Sequence, residues 1–224
     1  VSRTVLLTEA RERLNEFFGK KYPKFFRKEH VNYTVAAGAD DLALINYTSG
    51  TTSNSKGVLI PYRALWSNLE FAFEVLGTRV HRGDNVISML PLAHMYGMSF
   101  EFIFEFMHGC HVFYLTRIPS PKIVLKAFGE IKPTIIISVP LIIEKIIKKN
   151  VLPKLQTPSM KVLLKLPIIS TKIRERIRES LVQAFGGNFY EIIVGGAAFN
   201  SEVENLLHKI GFNYTVGYGA TECA

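Results

Sequence analysis

Short apolar runs alternate with amphipathic segments along most of this chain, and this alternation limits the folds that it can adopt. Six runs are short, apolar and punctuated by Gly or Pro, which is typical of buried strands. They are DLALINYT, NVISMLPL, CHVFYL, PTIIISVP, FYEIIVGG and FNYTVGYG. Helical patterns lie between them, so the sequence predicts an α/β fold with a mostly parallel sheet flanked by helices.

Two helical segments carry signals for where a helix begins and ends. In SEVENLLHKIG, Ser201 and Glu204 match a capping box, and Gly211 is a typical stop. The segment SFEFIFEFMHG is ambiguous, because its phenylalanines recur every second residue while its apolar residues also follow helical spacing. We predict a helix there, which Ser99 can cap and Gly109 can end.

Length and composition indicate a globular chain in a reducing compartment. The chain has 224 residues, of which 48% are hydrophobic, enough for a large buried core. Its longest apolar run, TIIISVPLII, is about half a bilayer span and contains Pro140, so we expect no transmembrane helix. Cys110 and Cys223 show no metal-type or redox-type spacing. These features favour the cytoplasm, and peripheral contact with the inner membrane surface stays open.

The net charge of +8 is compatible with a polyanionic ligand, an anionic membrane surface or an ordinary solvated surface. Basic and aromatic residues interleave in GKKYPKFFRKEH, residues 19–30. This mixture is typical of a nucleic-acid patch or a membrane-surface patch, and it also occurs in exposed connecting segments. The repeated buried-strand patterns do not support a nucleic-acid-binding domain.

The stretch YTSGTTSNSKGV, residues 47–58, has the chemistry of a phosphate-binding loop. Gly-rich turns expose backbone N–H groups, hydroxyl groups add donors, and a lysine adds a mobile positive charge. The stretch does not match the P-loop pattern, which needs Gly before the lysine and Ser or Thr after it. Here Ser55 precedes Lys56 and Gly57 follows it. A solvated surface loop is the alternative interpretation.

Two further segments follow predicted strands. VGGAAFN follows FYEII, and YGATE follows FNYTVG. Ligands in doubly wound folds bind beyond the carboxyl ends of the strands, so we expect all three segments at one cleft. In YGATE, the Tyr218 ring can stack on a base, and Thr221 and Glu222 have groups suited to phosphate and Mg²⁺.

Taken together and in this order, the three segments resemble the adenylate-forming ligases, the superfamily of acyl-CoA synthetases, luciferases and peptide-synthetase adenylation domains. The superfamily's phosphate loop is matched over residues 47–57, except that Ser53 and Ser55 stand where Gly and Pro are common. Its YGxTE motif is matched throughout from Tyr218 to Glu222.

Other segments look most like long-chain fatty acid–CoA ligases. These are LPLAHMYG around His94, SVPLIIEKI around Pro140 and FGGNFYEIIVGGAAFNSEV. Two positions depart from that pattern, because Leu141 stands where Arg is common and Ala198 where Pro is common.

The resemblance implies a reaction and a role for each matched residue. ATP and a fatty acid would form an acyl-adenylate, and CoA would then take the acyl group as a thioester. The residues that would hold the β- and γ-phosphates are Thr48, Ser49, Gly50, Thr51, Thr52 and Lys56. Those that would line adenine and the acyl group are Gly195, Gly196, Ala197, Tyr218 and Gly219. The catalytic set is Lys56, His94 at the acyl pocket wall, Thr221 at the α-phosphate and Glu222 on Mg²⁺.

Several alternatives stay open from the residues alone. A lone histidine after a strand, such as His94, is commonly a packing residue. A metal site at His108, Cys110 and His111 would lack a fourth ligand. The whole chain could also be a non-catalytic nucleotide- or acyl-binding module, or part of an enzyme that adenylates a different carboxylic acid.

The ends of the sequence suggest an excised piece, since it begins without Met and stops two residues after Glu222. We predict that residues 1–40 are a connecting segment and residues 41–224 an AMP-binding core. The resemblance implies a ribose-binding acid and a lysine-bearing domain downstream. Residues 1–224 alone are therefore expected not to catalyse ligation, and nothing in the sequence predicts an oligomeric state.

Overall fold

A computed structural model of the protein describes residues 7–25, 27, 38–48 and 55–223. The chain divides into two compact units, Val1–Gly38 and Ala39–Ala224. The described part of the first unit contains helix α1, Leu7–Lys21, in which Lys20 and Glu16 form an ion pair at 2.6 Å. All other strands and helices described below belong to the second unit.

The second unit is built around a five-stranded parallel sheet. In spatial order its strands are β4 (His111–Tyr114), β3 (Asn85–Ser88), β5 (Ile135–Ser138), β6 (Glu191–Val194) and β7 (Tyr214–Val216). All neighbouring strands in this sheet run parallel. Parallel strands need crossover connections, and the segments between these strands contain helices. The predicted α/β fold with a mostly parallel sheet is therefore confirmed.

Helices flank the sheet and connect its strands. They are α2 (Tyr62–Leu76), α3 (Met95–Met98), α4 (Phe104–His108), α5 (Pro121–Ile131), α6 (Pro140–Asn150), α7 (Leu152–Leu155), α8 (Pro158–Leu163), α9 (Pro167–Ala184) and α10 (Ser201–Lys209). A π-helical turn, Ser99–Ile103, joins α3 to α4, and a 3₁₀ turn, Thr221–Cys223, follows β7. Within the described ranges, no helix is both long and apolar enough to cross a membrane.

The core consists of aliphatic residues from the central strands and rings from the surrounding helices and loops. Every residue of β5 is buried, and Ile135, Ile136 and Ile137 each expose 2% or less. A strand covered on both faces has no side that faces water, which explains why IIIS is apolar without alternation. Phe128 of α5 stacks on Phe185, with ring centroids 5.5 Å apart, and both rings are fully buried.

The predicted strand DLALINYT does not belong to the parallel sheet, and this part of the prediction is wrong. It forms β1 (Leu42–Thr48), which pairs antiparallel with β2 (Lys56–Pro61) in a separate two-stranded sheet. Seven residues separate the two strands, too few for the crossover that parallel pairing needs. The candidate phosphate loop therefore connects the strands of a hairpin, in which Thr48 lies opposite Lys56.

Both predicted helices exist, but each begins elsewhere than expected. Helical structure runs continuously from Met95 to His108, so Ser99 lies inside the helix and does not cap it. Gly109 ends it as predicted, with a left-handed φ of 80° that favours glycine. In α10 the N-cap is Asn200, whose side chain accepts a hydrogen bond from the Val203 N–H at 3.2 Å. The predicted capping box at Ser201 is therefore wrong by one residue.

Candidate functional site

A cavity of about 560 Å³ lies beyond the carboxyl ends of β6 and β7. Its walls come from α2, from the segment His94–Phe100 and from the residues that follow the two strands. Six of the predicted site residues line it: His94, Gly195, Gly196, Tyr218, Gly219 and Thr221. The structure thus brings together residues that are far apart in the chain, at the edge of the sheet that the topology predicts.

A second cavity, of about 390 Å³, lies next to the hairpin. Its lining includes Thr48 at the end of β1, together with His94 and Thr221. Since His94 and Thr221 also line the larger cavity, the two cavities meet at these side chains. One cavity therefore faces the candidate phosphate hairpin and the other faces the glycines after β6.

The remaining predicted site residues lie around these cavities or outside the described residues. Strand β2, which begins at exposed Lys56, contacts the 3₁₀ turn that contains exposed Glu222. Neither side chain lines either of the two cavities, and neither does Ala197, which directly follows Gly196. The structure does not describe Ser49, Gly50, Thr51 and Thr52. No cluster of three or more His, Cys, Asp or Glu side chains suited to a metal ion occurs in the part of the chain that the structure describes.

Tyr96 occupies the wall of the larger cavity beside Gly195, and sequence reasoning did not identify it. Its hydroxyl donates a hydrogen bond to the Ile193 carbonyl oxygen at 3.1 Å and lies 3.5 Å from the Ser138 carbonyl oxygen. Burial, together with the negative charge of Glu101, raises the pKa of Tyr96 above its ordinary value. The ring lies so close to Gly195 that an added Cβ would be 3.0 Å from its Cζ atom.

Glu101 is buried under the segment that leads from β3 to His94. Its Oε2 atom accepts hydrogen bonds from the Met89 N–H at 2.9 Å, the Leu90 N–H at 2.7 Å and the Ser88 hydroxyl at 3.3 Å. Burial raises the pKa of Glu101 to about 7, although these three donors act in the opposite direction. The carboxylate thus holds one end of residues 88–94.

Asn46 of β1 holds the other end of the same segment. Its side-chain amide donates a hydrogen bond to the Ala93 carbonyl at 3.1 Å, directly before His94. This bond joins the hairpin to the segment that forms a wall of both cavities. Glu101 and Asn46 therefore position His94 from two sides, without lining the larger cavity themselves.

Comparison with known proteins identifies the family. A family model described as AMP-binding enzyme matches residues 2–224. The chain belongs to this family. Residues 1–224 are similar to the long-chain-fatty-acid–CoA ligase 2 of Schizosaccharomyces pombe, with 29% identity over 83% of this chain and 30% of the relative. They are also similar to the long-chain-fatty-acid–CoA ligase 5 of Mus musculus, with 30% identity over 88% of this chain and 30% of the relative.

Solved structures share the fold of this AMP-binding chain. ATP-bound MatB from Rhodopseudomonas palustris has a TM-score of 0.62 at 24% identity, over 86% of this chain and 32% of that one. The N-terminal domain of FACL13 from Mycobacterium tuberculosis has a TM-score of 0.57 at 22% identity, over 84% of this chain and 39% of that one. The AMP-binding chain spans about a third of the length of the proteins that it matches.

We expect Gly195→Ala, at the wall of the larger cavity, to lower the stability of this AMP-binding chain. The new Cβ would press on the Tyr96 ring, and overpacking of this kind costs about 1–3 kcal/mol of unfolding free energy. The matched control is Gly217→Ala in the same cavity, where a Cβ would lie 3.8 Å from Ile193 Cγ2, an ordinary contact. Urea unfolding measures both variants, and equal losses would show that the Tyr96 contact does not constrain Gly195.

We also expect Glu105 of α4 to make the stability of the AMP-binding chain fall with rising pH. Glu105 is 1% exposed, and burial together with the charge of Glu101 raises its pKa from 4.5 to about 9. Between these values the folded state binds more protons than the unfolded state, so the free energy of unfolding falls as pH rises. Glu101, with a pKa of about 7, acts in the same direction up to neutral pH.

Replacing Glu105 by methionine removes this pH dependence. The stability of Glu105→Met relative to wild type should rise between pH 5 and pH 9 by about 2–5 kcal/mol, since one pKa unit corresponds to 1.36 kcal/mol. Urea unfolding at several pH values measures it. The control is Glu175→Met on α9, where the glutamate is exposed. If the difference in unfolding free energy between Glu105→Met and the wild type did not change with pH, the raised pKa of Glu105 would be contradicted.

Proposed function

We propose that this chain forms the ATP-binding part of an enzyme that activates a long-chain fatty acid as acyl-adenylate and transfers the acyl group to CoA. The observation that supports it most is the position of His94 and Thr221, which line both cavities. They stand between the hairpin with phosphate-loop chemistry and a larger, mainly apolar cavity. The relatives in S. pombe and M. musculus, which are long-chain-fatty-acid–CoA ligases, support the same reaction.

The first half of the reaction joins the fatty acid to AMP. A carboxylate oxygen attacks the α-phosphorus of ATP, the bond from this phosphorus to the bridging oxygen breaks, and pyrophosphate leaves. Negative groups approach one another in this step, so fixed positive charge and N–H donors lower the barrier. Lys56 and Thr48, which lie opposite each other in the hairpin, are proposed to contact the leaving phosphates together with Ser49, Gly50, Thr51 and Thr52.

The nucleotide base is proposed to lie between the glycines after β6 and the loop after β7. Gly195 and Gly196 lack side chains that would fill this part of the larger cavity, and Ala197 follows them. The Tyr218 ring is 99% exposed and lines the cavity, so one of its faces is free to stack on adenine. Gly219 and Thr221 follow it, and the Thr221 hydroxyl is proposed to donate a hydrogen bond to the α-phosphate.

Glu222 fits a role with Mg²⁺ that is bound mainly through the substrate. Mg²⁺ at a nucleotide site uses one or two carboxylates, with phosphates and waters as the other ligands. Glu222 is a single exposed carboxylate on the turn that contacts β2, which matches this requirement. The ion would neutralise charge on the phosphates as pyrophosphate leaves.

The acyl group is proposed to occupy the apolar side of the larger cavity. Phe71, Ala72, Val75 and Leu76 of α2 form one wall there, and Phe100 lies on another. His94 lies where this side meets the smaller cavity, so it would stand beside the carboxylate that reacts. In the second half of the reaction, the CoA thiolate attacks the acyl carbon and AMP leaves.

Acyl-CoA formation by the protein as it is naturally expressed tests the substrate. Long-chain fatty acids, malonate and benzoate should be compared at equal concentration with ATP, Mg²⁺ and CoA. We expect thioester only with the fatty acids, because the proposed acyl wall is made of aliphatic and aromatic side chains. Thioester formation from a short or aromatic acid alone would identify an enzyme for a different acid. Binding of ATP without any thioester would identify a non-catalytic module.

We further propose that residues 1–224 by themselves do not complete the reaction. The resemblance assigns a ribose-binding acid and a reactive lysine to sequence downstream of the YGxTE motif. Without these contacts the phosphates and base stay exposed to water, which weakens charged interactions. We expect ATP binding of roughly millimolar Kd, about −4 kcal/mol, by calorimetry. Acyl-CoA formation by this polypeptide, abolished by Lys56→Ala, would contradict the expectation.

A further inference from the structure

One segment of this chain carries as much positive charge as the net charge of the whole chain. Residues 145–174 contain eight basic residues and no acidic residue. The whole chain has 27 basic and 19 acidic residues, so the other 194 residues have 19 of each and are neutral on balance. The eight basic residues are Lys145, Lys148, Lys149, Lys154, Lys161, Lys165, Lys172 and Arg174.

All eight basic side chains are exposed. They extend from the second half of α6 through α7 and α8 to the first turns of α9. Within the described ranges, Lys148 alone among them forms an ion pair, with Glu144 at 3.4 Å. The segment therefore presents nearly all of its charge to the solvent.

Exposed aliphatic side chains lie in the middle of the same segment. The stretch KVLLKLPII, residues 161–169, spans the end of α8 and the start of α9. Its exposed members are Val162 at 63%, Leu163 at 37%, Leu166 at 46%, Ile168 at 77% and Ile169 at 39%. Two lysines alternate with these residues, so apolar and cationic groups share one exposed stretch.

We propose that residues 145–174, here called the basic–aliphatic surface, dock on an anionic lipid bilayer. Lysines near such a bilayer are attracted by its negative surface potential. Aliphatic side chains gain free energy by entering the acyl region, and lysine stems can lie along it while their ammonium groups stay in water.

The composition of the basic–aliphatic surface favours lipid over nucleic acid. It contains no aromatic residue, and seven of its eight basic residues are lysine. Proteins that bind single-stranded nucleic acid stack its bases on aromatic rings and on arginine. This surface has no aromatic ring, and its one arginine is Arg174. No residue of the surface lines either cavity of the candidate site, so the inference does not depend on the proposed function.

Vesicle sedimentation of the protein as it is naturally expressed tests the proposal. We expect binding to phosphatidylcholine vesicles that contain phosphatidylserine, and weak binding to vesicles of phosphatidylcholine alone. Replacing Lys154, Lys161, Lys165 and Lys172 together by glutamine should lower the partition coefficient at least about tenfold. The matched control replaces Lys20, Lys21, Lys24 and Arg27 by glutamine, which changes the charge equally in the other basic segment and should leave binding largely intact.

A second variant tests whether the aliphatic side chains enter the bilayer, separately from the attraction between lysines and anionic lipid. Val162→Ser with Ile168→Ser alters only exposed side chains, so the fold is expected to persist, and binding should fall roughly tenfold without any change of charge. Three outcomes would overturn the proposal. The first is that the wild-type protein does not bind anionic vesicles. The second is that the Lys20–Arg27 control loses as much vesicle binding as the variant of Lys154, Lys161, Lys165 and Lys172. The third is tighter binding to an oligonucleotide than to the vesicles.

Discussion

Replacing Lys56 by alanine is expected to slow formation of the acyl-adenylate by about 10²–10³-fold. Lys56 begins β2 opposite Thr48, and this strand contacts the turn that contains Glu222. In the proposed reaction its ammonium group neutralises negative charge on the leaving pyrophosphate. Removing one group of this kind from a site that stabilises a transition state typically costs two to three orders of magnitude in rate. Acid-dependent exchange of labelled pyrophosphate into ATP measures the step directly.

The control for Lys56 is Lys122→Ala. Lys122 is also exposed, but it stands in the first turn of α5 and lines neither cavity. The Lys122→Ala variant should exchange pyrophosphate at the wild-type rate. This result would show that the effect of Lys56→Ala is local and does not come from the loss of one surface charge. Full exchange by Lys56→Ala would mean that the hairpin has a structural role only.

Replacing Glu222 by glutamine is expected to lower the same exchange rate by roughly 10²-fold at limiting Mg²⁺. The substitution keeps the size of the side chain and removes the charge that would hold the ion. Because the ion also binds to the phosphates of ATP, a higher Mg²⁺ concentration should recover part of the rate. The measurement is a Mg²⁺ titration of pyrophosphate exchange for both proteins.

Glu202→Gln serves as the control for the loss of a carboxylate. Glu202 is exposed in the first turn of α10 and lines neither cavity, so its Mg²⁺ titration should match that of the wild type. If the exchange rate of Glu222→Gln were lower than that of the wild type by the same factor at every Mg²⁺ concentration, Glu222 would have no role at the metal.

The parallel sheet was predictable because its central strands, β3, β5 and β6, are largely buried. IIIS in β5 has no polar residue before Ser138, and short apolar runs of this kind are typical of strands covered on both faces. The hairpin was harder to predict. β1 has an apolar run much like the others, and a run of that kind does not indicate whether its partner is parallel. The seven residues between β1 and β2 are the signal that could have identified antiparallel pairing.

The buried glutamates were not predictable from helical spacing. The stretch SFEFIFEFMHG is apolar on nearly every side, so its period does not identify the buried face. In the structure Glu101 and Glu105 are buried, whereas Phe106 is 70% exposed. Two glutamates four residues apart in an otherwise apolar helix were the available signal. What fixes their position is the contact of Glu101 with Met89 and Leu90, and no local pattern encodes that contact.

The motifs predicted Lys56, Gly196 and Tyr218 as site residues. Gly196 and Tyr218 line the larger cavity, whereas Lys56 lines neither cavity. The packing contacts around the cavities were not predictable. Tyr96 and Asn46 act through contacts with distant backbone carbonyls, at Ile193 and Ala93, and sequence separation hides such contacts.

Fatty-acid-dependent exchange of pyrophosphate into ATP, by the protein as it is naturally expressed, tests the central claim most directly. The claim is that the hairpin, His94 and the turn Thr221–Cys223 form one site where a carboxylate attacks ATP. We predict rapid exchange with ATP, Mg²⁺ and a long-chain fatty acid, before any CoA is added, and none when the acid is left out. ATP binding without exchange under any of these conditions, or exchange that is independent of the acid, would contradict the claim.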